Sequence, residues 1–364
     1  MTQKFYHIYR SQAESFTGAL EELLTRITSH PTKPLRIIFF GHTENNQEYA
    51  TQLSEIEKSV NEHFNQKPMV AYVAQAPLCS TLAAEVMSIA ESDFNRAVFH
   101  EDYIRIDDEI LSGGLHTTLS QGIDAQAEEI FARMSEILRV EGVEINDIVR
   151  QWNYIERITH MDSNGQHYQL FNDARSSFYN KCQWSNGYPA ATGIGTQAGG
   201  VVVVFDAIKS SEQCSTPIDN PLQISAHAYS QQVLINSIDT HKTTPKFERA
   251  RHIDGNEPII HISGTAAIRG EASCEQDIVG QTALTMENID YLTSVENQSS
   301  SGVKHPHEMK YATSRIYIKH RNNLQQVSEW MAEHYPTTPA LYLWADICRD
   351  ELLIEIEGVA TKKI

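Results

Sequence analysis

The chain has 364 residues, 41% of them hydrophobic and 21% charged, proportions that fit an ordinary globular protein of two domains or one large composite. Its 47 acidic residues against 29 basic ones give a formal net charge of −18, which repels polyphosphate and argues against a nucleic-acid partner, although a pocket within an acidic shell can still be basic enough for a small anion. Five cysteines form no C-x-x-C pair, sixteen histidines form no H-E-x-x-H pattern, residues 1–7 lack the apolar core of a signal peptide, and no apolar run approaches the ~18 residues of a membrane span. A cytoplasmic protein with no metal and no cofactor is the expectation.

Residues 1–110 mix short strands and helices. Residues 35–41 read as a buried strand ending in a turn glycine, and 69–77 as another stopped by proline. Between them, Tyr49, Leu53, Ile56 and Val60 carry helical spacing. A helix opens at 122 with Ile130, Met134, Ile137 and Leu138 on one face, and the pair Glu141-Gly142 marks its C-cap. A strand follows at 148–155, a helix near 168–179, a Pro-Ala turn at 188–193 and a strand at 201–208. A second pass through the same order starts with a strand at 258–266. A helix from 280 carries Leu284, Met286, Ile289 and Leu292, and a Gln/Ser-rich connector follows at 297–303. Then come a strand at 311–318, a helix at 322–334, the turn Pro339-Ala340 and a strand at 352–356. Both halves read strand–helix–strand–helix–strand, which predicts an α+β fold of tandem units whose mixed sheets are packed by helices. The expected organisation is an N-terminal α/β region at 1–110, possible as a degenerate third unit, a first unit at 111–225 and a second at 226–364.

Aligning the two terminal strands by their ends sets Asp206 opposite Glu357 and Val204 opposite Glu355. In a period-2 strand Glu355 and Glu357 share one face. Two such carboxylates are either a wet strand edge or groups held for acid–base work. The carboxylate at position 355 exists in only one of the two copies, as expected of a chain with one active and one inert unit. The apolar neighbours Ile354 and Ile356 point to a partly buried strand, where desolvation favours the protonated acid. Glu357 is expected to be solvated or structural.

Several strings now carry a resemblance. Gln281, Asn288-Ile289, the Pro339-Ala340 turn, Val143–Val149 read as VEINDIV, and the run from Ile354 to Ala360 resemble the RidA/YjgF superfamily, whose small members are trimers with sites at subunit interfaces. Within it, the strings at 151–155, 168–175, 188–195, 262–266 and 345–349 resemble the chorismatase family. The resemblance runs from about residue 110 to the C-terminus and is weaker before it. It implies tandem RidA/YjgF-like units, which share the chorismate mutase-like fold, and an enzyme that cleaves chorismate with release of pyruvate. Some members hydrolyse the enolpyruvyl ether to a dihydroxycyclohexadiene carboxylate. Others form 3-hydroxybenzoate, or a mixture with 4-hydroxybenzoate.

Cleaving an enol ether requires a proton at its methylene carbon, and a carboxylic acid whose pKa is raised toward neutrality suits that task. Glu355 matches the family's catalytic glutamate. Cys348, seven residues upstream, matches a cysteine of the 3-hydroxybenzoate-forming type and is a candidate nucleophile or proton shuttle. Ala267 departs from the glycine expected in that type. The two substrate carboxylates require cations with bidentate geometry, for which Arg175 and Arg249 are the first choices. Arg150 and Arg315 are weaker candidates, since a strand salt bridge accounts for each equally well. Tyr154, Tyr188, Thr192 and Ser263 are candidate hydrogen-bonding groups, and Gly193 and Gly264 permit close approach of the backbone. The segment 227–247 carries a longer polar insert than the family's Pro/Tyr-rich stretch, a candidate lid or partner surface. The expected product is 3-hydroxybenzoate with pyruvate, the expected state a monomer or small homo-oligomer. Three readings compete with it: hydrolysis of chorismate to a dihydroxycyclohexadiene carboxylate and pyruvate, RidA-like imine deamination, against which Leu341 stands where those proteins carry arginine, and a non-catalytic binding protein.

Overall fold

The computed structural model describes residues 2–228, 230, 243–274 and 277–363. Three sheets organise these residues. The first is built from β1 (Phe5–Arg10), β2 (Lys33–Gly41), β3 (Met69–Val73) and β4 (Leu82–Ile89) in the order β1-β4-β2-β3, with α1 (Phe16–Thr28) and α2 (Asn46–His63) between its strands. The short helix α3 (Glu91–Phe94) leads to the second sheet, with β5 (Ala97–Phe99), β6 (Tyr103–Ile106), β7 (Glu109–Ser112), β8 (Ile148–Glu156), β9 (Ala190–Thr196) and β10 (Val201–Ile208) in the order β5-β6-β7-β10-β8-β9. Its helices are α4 (Ile123–Glu141) and α5 (His167–Tyr179). The third sheet comprises β11 (Ser215–Ile218), β12 (Ala250–Ile253), β13 (Ile259–Thr265), β16 (Met309–Ile318), β17 (Ala340–Trp344) and β18 (Ile354–Lys362) in the order β11-β12-β13-β18-β16-β17. The small hairpin β14 (Ile268–Arg269) and β15 (Ala272–Ser273) stands apart from it, and α6 (Ile278–Thr293), α7 (Val295–Ser300) and α8 (Leu324–His334) complete the chain.

The same four-strand motif occurs three times. β1-β4-β2-β3, β7-β10-β8-β9 and β13-β18-β16-β17 each run antiparallel, antiparallel, parallel. Each parallel strand begins directly after a proline, Pro68, Pro189 or Pro339, which has no N–H to offer the ladder and so stands just outside it. The N-terminal region thus has the strand order and senses of the other two. β7 crosses residue 110, and β11 joins the third sheet ahead of residue 226, so the sheets exchange partners earlier than the expected boundaries.

Several strands were not anticipated, among them β9, β11, β12 and β17. β9 and β17 fall where the sequence reads as Pro-Ala turns: β9 is Ala-Ala-Thr-Gly-Ile-Gly-Thr, opening on small residues with little strand propensity, whereas β17 is Ala-Leu-Tyr-Leu-Trp, a strand-forming run masked by the proline ahead of it. The connector at 297–303 is largely the helix α7, started by the Ser294 side chain accepting from Asn297 N. β18 is no wet edge: it lies between β13 and β16, with Glu355 and Glu357 only 5% and 2% exposed.

An apolar cluster between the sheets draws on all three, with Phe40 and Val73 from the first, Trp152, Tyr154 and Val204 from the second, and Tyr317 and Leu343 from the third. Beside it lies a cyclic set of ion pairs. Arg36, Arg150 and Arg315 occupy matching positions, paired across their sheets with Met87, Asp206 and Glu357. Each arginine reaches an acid of another sheet: Arg36 to Asp206 at 2.5 Å, Arg150 to Glu357, and Arg315 to Glu85 at 2.5 Å. The three guanidinium groups lie 5.0, 4.5 and 5.5 Å from the ring of Trp152, within range of cation–π attraction. Buried charges cost several kcal/mol each to dehydrate, so these pairs fix the mutual placement of the sheets and add little net stability.

Candidate active site

A cavity opens where the second sheet meets the third. α5 supplies one wall. Tyr168, Asn172 and Arg175 recur at i, i+4 and i+7, which sets them on one helical face, and all three line the cavity. Arg175 is buried, with Nη2 donating to Asn172 Oδ1 at 2.6 Å and its guanidinium 5.6 Å from the Phe171 ring. β9 passes below with Gly193 at its middle. A β-carbon there would lie 3.1 Å from Tyr168 Cε2, so the tyrosine ring rests against bare backbone.

The opposite wall belongs to the third sheet. Glu355 projects from β18 and Gly264 from β13. A β-carbon on Gly264 would overlap Oε1 of Glu355, so the carboxyl occupies space that any other residue at 264 would fill. Cys348, Arg349 and Leu352 come from the loop between β17 and β18, and Phe247 and Arg249 from the segment ahead of β12. Arg249 is buried, donates from Nη2 to Ile224 O at 2.8 Å, and lies 5.5 Å from the Phe247 ring. Arg349 donates from Nη1 to Glu271 O at 2.8 Å and to Ser273 Oγ at 3.1 Å. Three arginines thus converge on a cavity within a strongly acidic protein.

Six of the ten residues singled out in the sequence line this cavity: Glu355, Cys348, Arg175, Arg249, Gly193 and Gly264. The other four lie behind its wall. The Tyr154 hydroxyl accepts from Arg315 Nη1 at 2.7 Å in the buried core between the sheets. Tyr188 packs with Trp184 and Tyr179, ring centroids 5.0 and 5.9 Å away. Thr192 Oγ1 accepts from Gly264 N at 3.0 Å and from Arg150 at 2.8 Å while donating to Glu357. Ser263 Oγ accepts from Ala191 N at 2.9 Å and donates to Glu248 O at 2.6 Å, tying β13 to β9. For Tyr154, Thr192 and Ser263 a partner within the protein already uses the polar atom, and Tyr188 is engaged through ring packing, so these residues shape the site from behind. Residues 229 and 231–242 of the expected lid segment lie outside the described residues; Pro245 and Phe247, at its end, line the cavity. Sequence reasoning passed over Tyr168, Asn172 and Arg349. The polar stripe Tyr168-Asn172-Arg175 at helical spacing on a half-apolar helix was the available signal.

Electrostatics divides the two strand carboxylates. Burial, reinforced by the negative charge of Glu357, pushes Glu355 up to about 8, against the opposing pull of Arg150 and Arg249. Glu357 is held ionised: burial works against it, but Arg150, Arg315 and hydrogen bonds from Thr192 and Tyr317 together keep its carboxyl below the usual range. Burial, then the proximity of Glu355, pushes the Cys348 thiol up to about 12. Burial, then Cys348, also raises the Tyr168 phenol. At neutral pH the cavity therefore presents a protonated carboxylic acid, a neutral thiol and a neutral phenol among three cations. It can bind a small dianion and give it a proton.

Residues 89–207 match the family model described as chorismatase FkbO/Hyg5-like, N-terminal. A 3-hydroxybenzoate synthase of Streptomyces hygroscopicus is 30% identical over 239 residues, 63% of this chain and 67% of that protein. A chorismatase of the same organism is 29% identical over 218 residues, 58% of this chain and 61% of the relative. Among solved structures, a chorismatase crystal structure superposes with a TM-score of 0.74 at 22% identity, covering 98% of both chains, a likeness of fold.

Proposed function

The chain belongs to the chorismatase family, and from that premise we propose that it cleaves chorismate to 3-hydroxybenzoate and pyruvate, with Glu355 as the acid. The observation that carries this reading is a buried glutamic acid, its pKa raised by that burial, sharing a cavity with Arg175 and Arg249. Chorismate is a cyclohexadiene with a ring carboxylate, a hydroxyl and an enolpyruvyl ether that ends in a second carboxylate. The arginines take the two carboxylates, with Arg175 already oriented by Asn172. Glu355 then delivers its proton to the methylene carbon of the enol ether. The adjacent carbon becomes oxocarbenium-like and the bond between the ether oxygen and the ring breaks, releasing pyruvate, while the neighbouring ring hydroxyl loses its proton and closes onto the carbon that held the ether; the resulting epoxide reopens at the carbon that first carried the hydroxyl and takes that proton back, so the oxygen ends meta to the ring carboxylate. Chorismate divides into hydroxybenzoate and pyruvate without net uptake of water, so the proton that the ring loses on aromatising restores the acid.

Cys348 supports the aromatic product over the diene diol. It lines the same cavity, and its un-ionised state leaves proton relay, rather than attack by a resident thiolate, as its part in the reaction. A cytoplasmic location is part of the same reading: all five cysteines are free thiols, and no described helix is long and apolar enough to cross a membrane.

The test is to incubate the protein with chorismate and identify products by NMR, beside Glu355→Gln. Release of pyruvate with 3-hydroxybenzoate from the wild type alone supports the proposal. A dihydroxycyclohexadiene carboxylate as product moves the assignment to hydrolysis, and binding without consumption moves it to a non-catalytic role.

A further inference from the structure

The three units contain an internal comparison bearing on how Glu355 keeps its proton. Register across the sheets makes Glu85, Val204 and Glu355 equivalent, each two residues before Met87, Asp206 and Glu357 on the same strand face. Two units therefore carry a glutamate at the first position, yet the two glutamates differ. Glu85 is followed by the uncharged Met87, and it is ion-paired with Arg315, which donates from Nη2 at 2.5 Å and from Nε at 3.2 Å. Glu355 is followed by Glu357, and no hydrogen bond or ion pair to the Glu355 carboxyl forms among the described residues. Glu357 instead collects the donors: Arg150, Arg315 Nη1 at 3.0 Å, the Thr192 hydroxyl and the Tyr317 hydroxyl.

We propose that Glu357 is a positioning residue that keeps Glu355 a neutral acid, by engaging Arg150, which would otherwise pair with Glu355, and by making a second negative charge on that strand face costly. The inference rests on the reading of Glu355 as the proton donor and explains how the fold supplies one. The inert second unit fits the same logic: Asp206 keeps the ion pair to Arg36 although Val204 has no proton to give, so the anion is architectural there. Only the third unit combines the architectural anion with a glutamate beside it. The other groups facing Glu355 are Arg249 from the segment ahead of β12, Arg175 and Tyr168 from α5, and Cys348 and Arg349 from the loop before β18. Arg150 and Arg249 favour ionisation, so the neutral acid requires that Arg150 be engaged elsewhere.

The test reads the proton on Glu355 directly. Its carboxylic-acid C=O band in the infrared, identified by its loss in Glu355→Gln, is followed against pH in the wild type, in Glu357→Gln and in the charge-keeping Glu357→Asp. The expected result is a wild-type midpoint near pH 8, a midpoint at least one pH unit lower in Glu357→Gln, and a midpoint near that of the wild type in Glu357→Asp. An unchanged midpoint in Glu357→Gln overturns the proposal. Should Glu357→Gln fail to fold, with Arg150 left as a buried unpaired cation, the double variant Glu357→Gln/Arg150→Met removes both charges together. Its midpoint still moves down, by less, because Glu357 acts on Glu355 more strongly than Arg150 does; no movement there is equally fatal. The band needs no turnover. If Glu355→Gln still releases pyruvate, the catalytic reading fails while this measurement still decides the role of Glu357.

Discussion

The missing side chain of Gly264 is filled by the carboxyl of Glu355, whose Oε1 occupies the place a β-carbon would take. Gly264 has no left-handed backbone angle, so alanine there disturbs the carboxyl and not the strand. Gly264→Ala is expected to lower the rate of pyruvate release on the order of 10²-fold, the cost of misplacing a reacting group by about 1 Å. Circular dichroism and thermal melting should leave the fold near wild type. A fully active Gly264→Ala protein would separate the proton donor from this carboxyl.

An acid that must be protonated to work gives activity that falls as pH rises. With Glu355 near 8, kcat/KM should be level below that pH and decline above it, the reverse of an enzyme that needs a free carboxylate. Stability carries the same sign. The unfolded chain has Glu355 at its ordinary 4.5 and the folded one near 8, so the folded state holds a proton that the unfolded state has lost between those values. Folding stability from this group falls across that window and is level above it. Glu355→Gln removes the dependence, so its denaturant midpoint relative to wild type should rise between pH 4.5 and 8 and then hold.

Much of this site was legible because its chemistry depends on local strings. The lack of a partner for Glu355 in the other half follows from aligning two strand ends, and register bears the alignment out, with Asp206 facing Arg150 and Glu357 facing Arg315. The Gly142 cap with φ 64° was equally plain. The strand β9 was hidden because a run such as Ala-Ala-Thr-Gly is held as a strand by its neighbours and not by its own propensity, and β17, Ala-Leu-Tyr-Leu-Trp, because the proline before it reads as a turn. Tyr154 and Thr192 were misplaced for a related reason: a sequence shows that a hydroxyl is present, but not that Arg315 or Glu357 already claims it. The cyclic arrangement of Arg36, Arg150 and Arg315 joins residues more than 100 positions apart and had no local signature.

Arg175 and Arg249 should bind substrate through planar, forked contacts that a lysine ammonium cannot reproduce. Arg175→Lys and Arg249→Lys are each expected to raise KM about tenfold, a loss of about 1.4 kcal/mol, with a smaller effect on kcat. Steady-state kinetics with chorismate measures both. A change in kcat alone, with KM untouched, would assign the arginine to the transition state.

Cys348→Ala keeps Glu355 in place and removes the neighbouring S–H. Pyruvate release should continue at a reduced rate while the share of 3-hydroxybenzoate among the ring products falls. Quantifying ring products by NMR decides this; an unchanged product distribution would reduce the cysteine to a packing residue.

The most direct test of the account is the single-turnover yield of pyruvate from chorismate with Glu355→Gln, which keeps the shape of the side chain and removes the transferable proton. A loss of roughly 10³-fold or more, in a protein that still binds chorismate, is the result predicted for general-acid catalysis at the upper end of its usual range. Pyruvate released at the wild-type rate would contradict it.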